Sequence, residues 1–208
     1  VTVTEADPAG VPASTPLEQW LDRLAEATGA PGGGAASAVM LALGAGLLRM
    51  VAGYTPGQDR ATAAGERVAA LRVRALAASD ADSRASVALG AALALPTDDP
   101  DRDARLLDAA LRGARSSVDI GEVGIALVGE LDVLERVGNR HLDSDLAVAR
   151  EAVRAGLGGA LVNLRANLDL IAAHAPSVPG GAGEAAEREL RDAGERIASA
   201  RGSLAALS

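Results

Sequence analysis

The sequence predicts an all-α protein, a single-domain bundle of about six helices, several of them long and antiparallel. Three observations predict it. Apolar residues recur at three- and four-residue steps over long stretches, while the period-two alternation of strands is nearly absent. Prolines fall at the starts of those stretches or between them and not in their interiors. Of 208 residues, 49% are hydrophobic but only 1% aromatic, and 24 are glycine, so the core is built from Ala, Leu, Val and Gly. Small side chains of that kind let helix axes approach closely.

Each element has its own signal. Val1 to Ser14 carries Glu5 and Asp7 and no basic residue, which reads as a flexible N-terminal arm, not a signal or transit peptide. Residues 15–208 form the helical domain. Thr15, Pro16 and, three residues on, Glu18 form a capping box with proline at the first helical position, opening a helix to about Glu26. Ala30-Pro31-Gly32-Gly33-Gly34 breaks the chain, and a second helix runs to about Ala52. Its Gly34–Leu48 stretch carries no charge but falls short of the roughly 20 apolar residues of a membrane span, and its Ala and Gly content assigns it to the protein interior. Tyr54 to Gln58 is a turn; a long third helix follows to Leu95, where Pro96 stops it. Asp98, Asp99 and Pro100 restart a fourth helix, from about Asp101 to Val137. Gly138 to Asp143 is a polar loop, and Ser144 caps a fifth helix that reaches about His174. Pro176 to Gly183 reads as a flexible connection to an amphipathic sixth helix, Glu184 to Leu207.

Composition also removes whole mechanisms. All 20 basic residues are arginine, so P-loop lysines and Schiff-base lysines are excluded. No cysteine means no disulfide, thiolate nucleophile or Cys zinc site, and two histidines leave little for a metal cluster. A net charge of −8 and almost no aromatic residues argue against nucleic-acid binding. The expected setting is cytoplasmic, with no membrane partner.

Two helices carry polar groups where the pattern calls for core. On the third, the line Leu71, Ala75, Ala78, Asp82, Ala85 with Ser86, Leu89 and Leu93 has one charge, Asp82, while Asp80 and Arg84 fall on solvated faces. A carboxylate on an apolar face either bonds a neighbouring helix or faces a ligand cavity. The fifth helix divides into three stripes. Leu146, Val153, Leu157, Leu161, Leu164, Leu168 and Ile171 are core; Glu151, Arg154, Arg165 and Asp169 are solvent-facing. The third stripe is Asp145, Ala149, Ala152, Gly156, Ala160, Asn163, Asn167 and His174, which reads either as a close helix seam or as the wall of a pocket for a flat polar heterocycle. The triglycine Gly32–Gly34 is either a helix breaker or a set of exposed N–H groups for an anion.

These segments jointly resemble a known family. Pro31-Gly-Gly-Gly-Ala-Ala-Ser-Ala38, with Met50-Val51-Ala52 following, is similar to the opening of the cyclodeaminase/cyclohydrolase family, which comprises the cyclodeaminase domain of formiminotransferase-cyclodeaminase and the free-standing methenyltetrahydrofolate cyclohydrolases. Asp82-Ser83-Arg84-Ala85 and Leu95-Pro96 resemble its Asp-x-x-Ala-Phe helix and Leu-Pro end. Gly138-Asn139-Arg140-His141-Leu142-Asp143-Ser144-Asp145 resembles its Gly-Asn-Lys-Asn-x-x-Ser-Asp loop, and Asn163-Leu164-Arg165-Ala166-Asn167-Leu168 its Asn-Val-x-x-Asn-Leu signature. Departures stand at Gly53, Ser86, Thr97, Arg140 and His141.

The resemblance implies a folate one-carbon enzyme that needs no metal or redox cofactor and acts as a homodimer. The free-standing chain favours cyclohydrolase, opening 5,10-methenyltetrahydrofolate to 10-formyltetrahydrofolate. Formiminotetrahydrofolate cyclodeaminase is the alternative, and a non-catalytic folate-binding or assembly paralogue is a third reading. Asp82 is the implied acid–base group, with Asp145 holding the pterin or tuning Asp82. Asn139, Asn163 and Asn167 would orient the pterin edge, with Ser37 and Ser144 among the contacts. Arg140, Gly32, Gly33 and Gly34 would receive the anionic glutamate tail.

Overall fold

The computed structural model describes residues 11–177 and 182–205. Its helices are α1 (Leu17–Ala25), α2 (Gly33–Gly53), α3 (Asp59–Leu93), α4 (Arg102–Val137), α5 (Asp143–His174) and α6 (Ala182–Ala205), with one-turn 3₁₀ segments at Arg140–Leu142 and Ala175–Ser177. No strand occurs among the described residues. Helices α2 to α5 form a four-helix bundle: α2 and α4 each pack on both α3 and α5, and α6 lies against α4 and α5. Short connections between long helices enforce the antiparallel arrangement.

Helix α2, whose one charged residue is Arg49, is long and apolar enough to cross a membrane by length and composition, with a mean hydropathy of 1.8. Here Ala38, Leu41, Ala45, Leu48 and Val51 are fully enclosed in the shared core. Close approach of α2 and α5 depends on glycine. A Cβ at Gly156 would lie 2.6 Å from Leu41 Cδ2 and 2.9 Å from the Ser37 carbonyl oxygen, and both neighbours are buried. Gly156→Val is therefore expected to lower stability by roughly 1–3 kcal/mol, the usual cost of overpacking, read as a lower midpoint in chemical denaturation.

The core stripe of α5 is as the sequence predicts, and the solvent stripe is so except at Arg154, which is half-buried. Leu146, Val153, Leu157, Leu161, Leu164, Leu168 and Ile171 are all buried, and Glu151, Arg165 and Asp169 are exposed. The two cap predictions fail. Thr15 turns its hydroxyl back to the Pro12 carbonyl (2.7 Å) and α1 starts with no side-chain cap. Ser144 lies inside the first turn of α5, which begins at Asp143, because the 3₁₀ segment runs straight into the helix with Leu142 at the junction.

Most of the predicted N-terminal arm lies outside the described residues, but its last part is docked: the Ala13 N–H donates to Asp80 Oδ1 at 2.8 Å. Asp80 is therefore satisfied by the chain and not by solvent alone. The predicted flexible connection after Pro176 is shorter than expected, since Ala175–Ser177 is helical and α6 begins at Ala182; residues 178–181 lie outside the described residues. At the same end, His174 Nδ1 sits 2.8 Å from Asp103 Oδ1, tying the end of α5 to the start of α4.

Candidate active site around Asp82

One end of α2 collects the polar groups of the bundle interior. Asp82, on α3, is 6% exposed and lies against Gly34, where any Cβ would overlap its carboxyl group. Only glycine at that position lets the first turn of α2 approach the carboxylate. Asp82 accepts a hydrogen bond from Ser116 Oγ of α4 at 3.2 Å and another from the Ala35 backbone. Burial pushes its carboxyl above the usual carboxylate range, and these two bonds oppose that shift in part. The carboxylate thus has a helix N-terminus and one hydroxyl for company, and no cation is bonded to it among the described residues.

The surrounding serines are otherwise engaged. Ser37 donates to Gly33 O (2.7 Å), Ser79 to Ala35 O (3.1 Å), Ser83 to Ser79 O (3.0 Å) and Ser117 to Gly113 O (3.0 Å). From α5, Asn163 Nδ2 donates to Gly159 O (2.8 Å) and Asn167 Nδ2 to Asn163 O (2.9 Å). Asn167 Oδ1 is buried without a hydrogen-bond partner among the described residues. A Cβ on Gly33 would stand 3.7 Å from the Asn163 amide, and one on Gly32 would stand 4.0 Å from Ser86 Oγ, so these groups are level with Asp82.

Beyond that level α2 no longer contributes a helix. Helix α2 starts at Gly33, whereas α3 continues from Asp82 to Leu93 and α5 from Asn163 to His174, about 16 Å further in each case. Three helices therefore extend past the point where the fourth begins. Ser86, Asn163 and Asn167 stay half-buried, and Gly33 and Leu93 are exposed at this step.

The other predicted site residues lie elsewhere in the protomer. Asn139 caps the 3₁₀ segment: its Oδ1 accepts from His141 N (3.0 Å), its Nδ2 donates to Tyr54 O (3.1 Å), and its own N–H donates to Thr55 Oγ1 (3.1 Å). Arg140 is exposed and stands 3.9 Å from Asp143. These residues, with Ser144 and Asp145, sit at the C-terminal end of α2, about 30 Å along the helix from Asp82. Asp145 therefore does not tune Asp82 within one chain. The triglycine is likewise placed differently, because Gly34 and the start of α2 face the chain's own carboxylate and not an outside anion. The sequence reading missed Ser116, Ser79, Ser83 and Gly113. The criterion that found Asp82, a polar residue on a buried line, also finds Ser116 and Ser117 when applied to α4.

A sequence profile described as Formiminotransferase-cyclodeaminase matches residues 16–176, most of the chain. The chain belongs to the formiminotransferase-cyclodeaminase family. It is 32% identical over 177 residues to Formimidoyltransferase-cyclodeaminase from Sus scrofa, a match covering 80% of this chain and 33% of that one. The Rattus norvegicus protein of the same name is 33% identical over 177 residues, covering 76% of this chain and 33% of that one. The chain thus spans about a third of the length of these relatives. In fold it is similar to formiminotetrahydrofolate cyclodeaminase from Thermotoga maritima, with a TM-score of 0.74, 22% identity, and coverage of 92% of this chain and 94% of that one. Family membership accounts for the all-α bundle and for the four sequence segments that resembled the family. Each of these relatives is named as a cyclodeaminase.

Proposed function

We propose that the chain is a formiminotetrahydrofolate cyclodeaminase, closing the formimino group of 5-formiminotetrahydrofolate onto N10 with loss of ammonia. The observation that carries this reading is Asp82, a buried carboxyl raised in pKa at the end of the bundle where α2 begins, held by Gly34, Ala35 and Ser116 with no cation bonded to it among the described residues. N10 attacks the carbon of the protonated formimino group, –CH=NH2+, the N10 proton passes to Asp82, and the same proton goes on to the resulting amino nitrogen, which leaves as ammonia. The C–N10 bond forms, the C–NH2 bond breaks, and the product is the 5,10-methenyl cation. One group that both accepts and donates suits a carboxyl whose pKa is moved toward the working pH. Asn163, half-buried beside Gly33, would meet the amide-like edge of the pterin, with Asn167, whose Oδ1 packs against Gly113 of α4, behind it.

We also propose that two copies complete the site. Met40, Leu43, Met50 and Tyr54 of α2 are 39%, 57%, 36% and 63% exposed, and with Leu47 they form an uncharged line at three- and four-residue steps. Val148 and Val162 of the adjacent α5 are 58% and 65% exposed. A contiguous apolar face of this kind marks an interaction surface. In a twofold pair the same face meets itself, and antiparallel α2 helices bring the start of one against the end of the other. The partner's Asn139, Ser144 and Asp145 then stand beside Asp82, gathering into one site the residues that a single chain holds about 30 Å apart.

The reading is tested by offering the protein 5-formiminotetrahydrofolate and 5,10-methenyltetrahydrofolate separately. Ammonia release with growth of the methenyl absorbance from the first is the expected result. Accelerated ring opening of the second without ammonia release from the first would restore the cyclohydrolase, and inertness toward both would favour a non-catalytic paralogue.

A further inference from the structure

Ser116 is unlike the other serines around the site. Ser37, Ser79, Ser83 and Ser117 each give their hydroxyl hydrogen to a backbone carbonyl, the ordinary way a serine is satisfied within a helix or against its neighbour. Ser116, 7% exposed, gives its hydrogen to Asp82 Oδ1. It also borders a cleft of about 440 Å³ between α3 and α4, together with Arg84, Ala85, Arg112, Arg115 and Asp119. Asp82 does not line that cleft, so the Ser116 hydroxyl lies between the carboxylate and the outer groove.

Building on the proposed function, we propose that Ser116 is the positioning residue of the site, fixing Asp82 Oδ1 so that Oδ2 serves the reaction, and linking the buried carboxyl to solvent through the α3–α4 cleft. The charged groups around this link are few. Helix α2 presents Gly34, the Ala35 backbone and Ser37; α5 presents the uncharged Asn163 and Asn167. Helix α3 carries Asp80, which accepts from Ala13, and Arg84, which lines the cleft. Helix α4 carries Arg112, paired with Asp108, together with Arg115 and Asp119. Burial pushes the Asp119 carboxyl up, against the pull of Arg74 and with a push from Glu122. The cleft therefore holds three guanidiniums, one of them paired with Asp108, and one carboxyl, and none of these groups bonds Asp82 among the described residues.

The test is the titration of Asp82 in wild-type, Ser116→Ala and Ser116→Thr proteins, read by carbon NMR of the side-chain carboxyl and by the pH profile of kcat/KM for ammonia release. Removing the hydroxyl removes a bond made to the ionised form, so both readouts shift to higher pH in Ser116→Ala and return in Ser116→Thr. Turnover by Ser116→Ala falls roughly tenfold, the scale set by one lost hydrogen bond to a charged group. Arg84→Gln with Arg115→Gln shifts the NMR titration the same way, by a smaller amount. An unmoved Asp82 titration in Ser116→Ala, whatever its melting temperature, overturns the proposal, as does a shift that Ser116→Thr does not reverse. The NMR measurement needs no substrate, so a protein that fails to release ammonia leaves this inference decided on its own terms while removing the cyclodeaminase reading.

Discussion

Asp82→Asn is expected to abolish ammonia release while making the protein more stable. The amide keeps the shape of the carboxyl but neither takes the N10 proton nor passes it on, so turnover should fall by about 10²–10⁴, the range of a lost general acid–base group. The gain in stability follows from the direction of the pKa shift. A carboxyl whose folded pKa lies above its unfolded value binds its proton more tightly in the folded state, so its contribution is fully present below the unfolded pKa and is lost as pH rises through the folded pKa. At neutral pH, where the unfolded carboxyl is ionised, burial of Asp82 therefore works against folding, and an uncharged isostere removes that penalty. Thermal melts from pH 4 to pH 8 should show the variant above wild type at neutral pH, with the gap narrowing toward the acid end. An active variant would end the acid–base role. A variant destabilised at neutral pH would show that Asp82 is held chiefly as a structural hydrogen-bond acceptor.

The second large effect concerns assembly. Asp82→Asn and Asp145→Asn are each expected to be inactive alone, because each removes a carboxylate from every shared site. Co-expressed with different affinity tags and purified as the mixed dimer, the pair should recover about half of wild-type activity, since a twofold assembly of one chain of each kind has one of its two sites intact. Complementation of this sort does not occur if both carboxylates act in the same chain. Leu43→Arg, which places a charge on the exposed line of α2, should give a monomer by light scattering that retains the helical circular dichroism of wild type and has lost turnover.

These predictions separate what periodicity reveals from what it does not. Helical period assigns a residue to a face. It identified the buried stripe of α5 from Leu146 to Ile171 and picked Asp82 from an apolar line on α3, because a single misplaced charge is conspicuous at a 3.6-residue repeat. Period does not give the height of a residue along the bundle. That height depends on where α2 starts relative to α3 and α5, a matter of packing between helices distant in sequence. Asp145 and Asn163 therefore share a stripe on α5 and, with Asp82, a motif set, yet only Asn163 is level with Asp82.

Caps were misread for a related reason. Thr15 and Ser144 have the right identity and spacing, but Thr15 bonds back to Pro12, and Ser144 was absorbed into a helix that started one residue earlier. Local side-chain chemistry offers several bonds of similar energy, and the tertiary path of the chain selects among them. Asp80 illustrates the same point, since only a chain segment returning from 67 residues away supplies its partner, Ala13. Ser116 was legible in principle, as a polar residue on a buried line of α4. What could not be read is that its hydrogen goes to Asp82 and not to a carbonyl of its own helix.

The claim on which the rest depends is that the end of the bundle where α2 begins, beside Asp82, Asn163 and Asn167, is a folate site. Isothermal titration with a non-reactive tetrahydrofolate analogue tests it most directly, comparing wild-type protein with Asn163→Ala/Asn167→Ala. Saturable binding at one site per chain, weakened at least tenfold in the double variant, is the predicted result. No binding to a folded wild-type protein, or equal binding to both, would contradict it.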